Sequence, residues 1–173
     1  MQRWTASGVF GGGDGPSRNQ GETLDAIRKV ASRLASVMGL EVVEVVLHGA
    51  GRRSHLRIDI DRAGPERVGI DECRRLSEAL GAEFDEADLI GHSYTLEVSS
   101  PGLDRPIRTA DDVRRNTGRW VVAHTRVAVA GRRSFRGVLL GQEDGNFRLR
   151  EENGLEIEIP LEEILEAHQD PGF

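Results

Sequence analysis

The run Leu96-Glu97-Val98-Ser99-Ser100-Pro101-Gly102-Leu103-Asp104-Arg105-Pro106 marks the place where the pattern of this chain changes. Before it, apolar residues recur at both helical and strand spacing; after it, the spacing is almost entirely that of strands. A change of period at a Pro-Gly pair predicts two domains meeting at an ordered turn. Pro101 has a fixed φ and no backbone N–H, and Gly102 tolerates positive φ, so Ser100 to Leu103 fits a type II turn with Pro and Gly at its centre. Pro101 and Pro106 also push Ser100 and Arg105 towards extended backbone. Residues 101–106 therefore read as a rigid linker.

Residues 21–100 carry the mixed pattern. Leu24, Ile27, Ala31, Leu34 and Met38 have helical spacing from Thr23 to Met38, and Gly39 supplies a stop. Val43, Val45 and Leu47 alternate with Val42, Glu44 and Val46. Beyond Gly49-Ala50-Gly51-Arg52-Arg53, Leu56, Ile58 and Ile60 alternate with Arg57, Asp59 and Asp61, which predicts a hairpin with one buried face. Ile70, Cys73, Leu76 and Leu80 return to helical spacing behind Asp71 and Glu72, two acids suited to a helix N-terminus. Tyr94, Leu96 and Val98 then alternate with Thr95, Glu97 and Ser99. The expectation is an αββαβ two-layer domain, with helices on one face of a three-stranded sheet. The first twenty residues, rich in Gly and without apolar periodicity, are expected to be a disordered tail outside the core.

Residues 107–173 read as a small all-β domain, so the whole chain is of the α+β class. Thr109 with Asp112 three residues later can cap a short helix that Gly118 closes. Strands follow over 120–129, 134–142, 146–151 and 155–159, with a possible fifth over 164–168. Turn signals separate them at Gly131, Asp144-Gly145 and Asn153-Gly154. Short strands in so few residues bury their edges best as a small barrel of SH3-like or Sm-like type.

The formal net charge of −6 hides an uneven distribution. Residues 103–136 hold nine arginines against three acids, and 137–173 hold two against ten. Arg52 and Arg53 at the first hairpin tip, Arg105 and Arg108 near the joint, and Arg132 and Arg133 at a later turn could meet phosphates, because guanidinium forks match phosphate oxygens. A solvated surface explains them equally well. The acidic end suits a basic protein partner.

Catalytic and metal chemistry find little support. Ser99, Ser100, His92 and Asp104 are the residue types of a hydrolytic triad, but no Gly-x-Ser-x-Gly elbow holds either serine, and the turn explains them better. Asp59 and Asp61 could ligate a metal; their place beside Arg57 and Arg62 on a polar strand face predicts solvent exposure instead. The five histidines show no ligand spacing, and the single cysteine, Cys73, falls on an apolar helix face. Gly49-Ala50-Gly51 lacks the context of a phosphate loop. No cofactor or metal is expected. No apolar run is long enough to span a bilayer, and a cytoplasmic location is the expectation.

The eleven residues from Leu96 to Pro106 resemble the signature of the bacterial ribosome maturation factor RimP family. Asp71-Glu72-Cys73, Tyr94 and Ile159-Pro160-Leu161 extend the resemblance, which runs from Glu22 onward. It implies a type II KH-like N-terminal domain, an Sm-like or SH3-like C-terminal barrel, and a monomeric, non-enzymatic factor that binds the free small (30S) ribosomal subunit during assembly. The implied partners are 16S rRNA and a small-subunit protein near the decoding centre, the latter through the C-terminal domain. By position, Ser99, Ser100, Pro101, Gly102, Leu103, Asp104, Arg105 and Pro106 are the signature residues. Pro and Gly there are best explained by backbone geometry, which leaves Asp104 and Arg105 as contact residues. The alternative is a general RNA-binding module, although Gly49 to Gly51 lies between strands and not between helices as a KH loop would.

Overall fold

The computed structural model describes residues 3–6, 20–49 and 54–171. Its first helix forms where the sequence spaces its apolar residues, α1 spanning Gln20–Val37. Ile27, Ala31 and Ala35 are fully buried on one face, with Leu24, Leu34 and Met38 packed beside them. The helix ends where Gly39 adopts φ +68°. The Gly39 N–H donates to the Ser36 carbonyl and the Leu40 N–H to that of Ala35, the paired bonds of a Schellman motif. Helix α2 (Ile70–Glu86) begins with the Gly69 N–H donating to Glu72 Oε2 at 2.8 Å. It buries Cys73, Leu76, Leu80 and Phe84. Ile70, expected in that face, is 41 % exposed, while Phe84 at the other end of the helix is buried in the core.

Strands β2 (Glu41–His48) and β3 (Ser54–Asp61) form the expected antiparallel hairpin, and β4 (Tyr94–Ser99) pairs parallel to β3. A parallel neighbour requires a crossover, which α2 supplies. Leu56, Ile58, Ile60, Leu96 and Val98 are all fully buried in one core cluster with the buried residues of both helices. A fourth strand, β1 (Arg3–Ala6), lies antiparallel to β4 and gives the order β1-β4-β3-β2. This corrects the reading of residues 3–6 as part of a disordered tail; residues 1–2 and 7–19 lie outside the described residues. The free edge of β4 offers backbone donors and acceptors that a short segment can satisfy whatever its apolar pattern.

In the second half, α3 (Ala110–Asn116) precedes β5 (Trp120–Val129), β6 (Arg132–Glu143), β7 (Asn146–Arg150), β8 (Glu156–Pro160) and β9 (Ile164–Gln169). They form an antiparallel sheet of order β8-β7-β6-β5-β9. Two-residue loops with positive φ at both positions, Ala130-Gly131 and Asp144-Gly145, join β5 to β6 and β6 to β7, as the twist of a type I′ hairpin demands. Val121, Phe135, Leu139, Phe147, Leu149 and Ile159 supply the centre of one core. Thr109 caps α3 as expected, its Oγ1 accepting from the Asp112 N–H at 3.1 Å.

The chain divides into two compact units, residues 1–62 with 67–101 and residues 63–66 with 102–173. The division falls between Pro101 and Gly102, and the segment 63–66, expected within the first domain, belongs to the second unit. Arg119 is the cause. Its side chain, in a residue only 4 % exposed, donates from Nε to the Gly64 carbonyl at 2.7 Å and from Nη2 to the Glu66 carbonyl at 2.9 Å.

Candidate functional site

The signature run is built from two different kinds of backbone. Its first residues end β4, where strand alternation turns Ser99 to the same face as Glu97 and away from Leu96 and Val98. Across the parallel pair, Ser99 sits opposite Asp59 and Glu97 opposite Arg57. Ser99 is fully buried and its Oγ donates to Asp59 Oδ1 at 2.9 Å. Arg57 donates to the same carboxylate through Nε and Nη2, both at 2.9 Å. The bidentate bond to Asp59 raises the pKa of the Arg57 guanidinium further, against a smaller effect of burial. His55 Nε2 lies 3.1 Å from Glu97 Oε2 one step along the strands. The polar face is therefore a buried network. Asp59 and Asp61 are 2 % and 6 % exposed, which corrects the expectation of a solvated strand face.

The second part of the run is a turn, two residues later than expected. The Arg105 N–H donates to the Gly102 carbonyl at 3.0 Å, so Leu103 and Asp104 occupy the central positions. Gly102 does not have positive φ, and the type II turn over Ser100 to Leu103 is corrected. What distinguishes Gly102 is space: a Cβ there would stand 2.4 Å from Asp104 Oδ1. Ser100, Pro101 and Arg105 are half-buried, while Asp104 and Pro106 are exposed. Pro106 bridges to His168, and the Ile107 N–H donates to the Ala167 carbonyl at 2.7 Å, so the end of the run extends the edge of β9. Pro106 and Ile107 also line a groove of about 490 Å³, of mixed polar and apolar character, with Arg108, Val113, Gln142, Phe147 and Glu166.

Of the candidate arginines, Arg52 and Arg53 lie outside the described residues. Arg132 is engaged: both of its terminal nitrogens reach Glu151, at 2.8 and 3.3 Å, and its guanidinium stands 5.1 Å from the Phe135 ring centroid. The Glu151 hydrogen bond raises its pKa. Arg133 is exposed and, among the described residues, makes no ion pair. The basic face expected from residues 103–136 is thus partly neutralised. Arg136 pairs with Asp170, and Arg115 with Asp112.

The residue types of a triad are not brought together. Ser99 is bonded to Asp59, and His92 Nε2 lies 2.7 Å from Ser54 Oγ instead. Burial pushes the Cys73 thiol up to about 11, so it is protonated at neutral pH. Among the described residues, no three His, Cys, Asp or Glu side chains gather where they could hold a metal ion, and no helix is long and apolar enough to cross a membrane.

Sequence reasoning missed Arg57, Asp59 and Glu97 as partners of the signature, and Arg119 as the holder of 63–66. A charged residue on a strand between two others was the available signal for the first three. Position alone gave none for Arg119.

These features define a two-unit α+β protein whose distinctive run is half buried polar network and half exposed turn. Residues 27–104 match the family model of the RimP N-terminal domain, a span reaching from α1 to the centre of the turn at Asp104. That stretch of the chain is therefore similar to the RimP N-terminal domain, a match that supports the RimP family.

Proposed function

We propose that this protein is a ribosome maturation factor that binds the free small (30S) subunit in the cytoplasm and assists its assembly by binding, without a chemical step of its own. The observation that carries the reading is the family match over residues 27–104, which contains the Ser99–Asp59 network and the start of the turn. In this reading the first unit is a type II KH-like domain, supported by the order α1-β2-β3-α2-β4, and the second is an Sm-like or SH3-like barrel, supported by its five antiparallel strands. The groove beside Pro106, with the acids Glu162, Glu163 and Glu166 in and around β9, suits a basic small-subunit protein. Asp104, exposed at the centre of the turn, is the signature residue best placed for contact. A general RNA-binding module has less support, because Arg132, Arg136, Arg148 and Arg150 are committed to acids of the same chain.

Sedimentation tests the reading. The full chain should travel with free small subunits and not with joined ribosomes. Equal association with both would remove the assembly role.

A further inference from the structure

The hairpin of β5 and β6 carries an arm that none of the features above explains. His124 pairs with Ser134 and Val129 with Arg132, so four residues of β5, 125–128, stand opposite the single residue Arg133. A bulge of this size is a built feature, since it forfeits ladder bonds and must be held by other means. Here the Thr125 hydroxyl donates to the Val127 carbonyl at 2.6 Å, and Thr125 itself is buried and paired with Ile164 of β9. The bulge holds Arg126 and Val127 outward at the level of Arg133. Val127 is 47 % exposed, and Arg126 and Arg133 are both exposed.

The charges on this arm are sorted. Arg132 is bound to Glu151, and Arg136 is bound to Asp170 and stacked 4.9 Å from the Trp120 ring centroid. Arg126 and Arg133 make no ion pair among the described residues, although this half of the chain has many acids to offer. Two guanidinium groups on a two-stranded arm, with no counter-ion among the described residues, match the negative charge of a phosphate backbone. A protein interface needs a buried apolar or aromatic centre, and Val127 alone does not supply one.

We propose that the 125–133 arm is an RNA-backbone contact, in which Arg126 and Arg133 bind phosphates while Arg132 acts as an internal brace. The inference rests on the ribosomal reading and adds to it a surface and a ligand class. Binding of the full chain to a short fluorescein-labelled RNA duplex, measured by anisotropy between about 50 and 200 mM salt, tests it. Replacing Arg126→Gln with Arg133→Gln should weaken binding about tenfold at the low-salt end and reduce the log–log salt slope by about 1.8, two contacts at about 0.9 each. Arg126→Lys with Arg133→Lys should keep the slope, which separates charge from fold. Arg28→Gln with Lys29→Gln on α1 removes the same charge elsewhere and should leave the slope unchanged. An equal loss from the α1 pair overturns the proposal, as does an unchanged slope in the arm variant. Lost sedimentation with small subunits at an unchanged RNA slope would assign the arm to a protein and also overturn it. If the wild-type chain binds RNA through the arm but ignores small subunits, the ribosomal reading fails and the arm stands.

Discussion

Replacing Ser99→Ala should destabilise the first unit without touching any exposed surface. The hydroxyl is fully buried and donates to a carboxylate, a class of hydrogen bond with a net contribution of about 1.5–3 kcal/mol. Asp59 keeps both Arg57 bonds when Ser99 is truncated, so the low end, about 1.5 kcal/mol, applies. Asp59→Ala is worse because it strands the Ser99 hydroxyl, at about 1–3 kcal/mol for a buried unsatisfied group in addition to the lost bond. Arg57, one-third exposed, can turn to water and limits the total to about 3 kcal/mol. In the double variant no hydroxyl is left stranded, so the two losses should fall short of additive by about 1.5 kcal/mol. Native-state hydrogen exchange reads this locally: amides of β3 and β4 should exchange about tenfold faster in Ser99→Ala, with β5–β9 as the unaffected internal standard. Exchange at the wild-type rate, together with lost binding to small subunits, would refute the argument and put the hydroxyl on a partner.

Two glycines should respond to substitution to different degrees. Gly102→Ala should cost less than about 0.5 kcal/mol, since the atom its Cβ meets is the end of an exposed Asp104 side chain, whereas Gly137→Ala meets the Arg150 carbonyl oxygen at 2.5 Å in the paired strand and should cost about 1–3 kcal/mol in urea unfolding. Arg119→Ala should release residues 63–66 and accelerate tryptic cleavage after the exposed Arg67, with Arg133, already exposed, as the reference site. Burial pushes the Asp112 carboxyl up, but donors from Thr109, the Arg108 backbone and Arg115 outweigh it and hold its pKa below the ordinary range. Its stabilisation is therefore present above the unfolded value, near 3.9, and is lost as pH falls through the lower folded value, so Asp112→Asn should flatten the acid limb of a stability–pH curve.

The helices and most strands were legible because periodicity reports burial directly. Leu56, Ile58 and Ile60 alternate and are buried, and Ile27 and Ala31 lie one helical turn apart and are buried. Periodicity assigns a residue to a face, but it does not say whether that face is covered. Asp59 looked solvated for this reason, until β3 proved to lie between β2 and β4 with Ser99 beside it. The signature was legible as a turn because Pro and Gly act locally. Its register was not, because the i to i+3 bond from Arg105 to Gly102 depends on where β4 ends. Gly137 carried no local signal at all, since its constraint is the backbone of a strand thirteen residues further on.

Charge shows the same division between what is local and what is folded together. Read along the chain, residues 103–136 are strongly basic and 137–173 strongly acidic, which suggests two opposed surfaces. Antiparallel pairing does the reverse, because it lays the second segment against the first: Glu151 reaches Arg132 and Asp170 reaches Arg136. Such exposed pairs contribute little stability, at about 0–1 kcal/mol each. Their effect is subtractive, since they neutralise part of the apparent basic surface. Among the described residues, Arg126 and Arg133 make no ion pair where a bulge lengthens one strand of the arm. A count of arginines could not have chosen between Arg132 and Arg133, whereas the β-sheet register places one beside Glu151 and the other opposite the bulge.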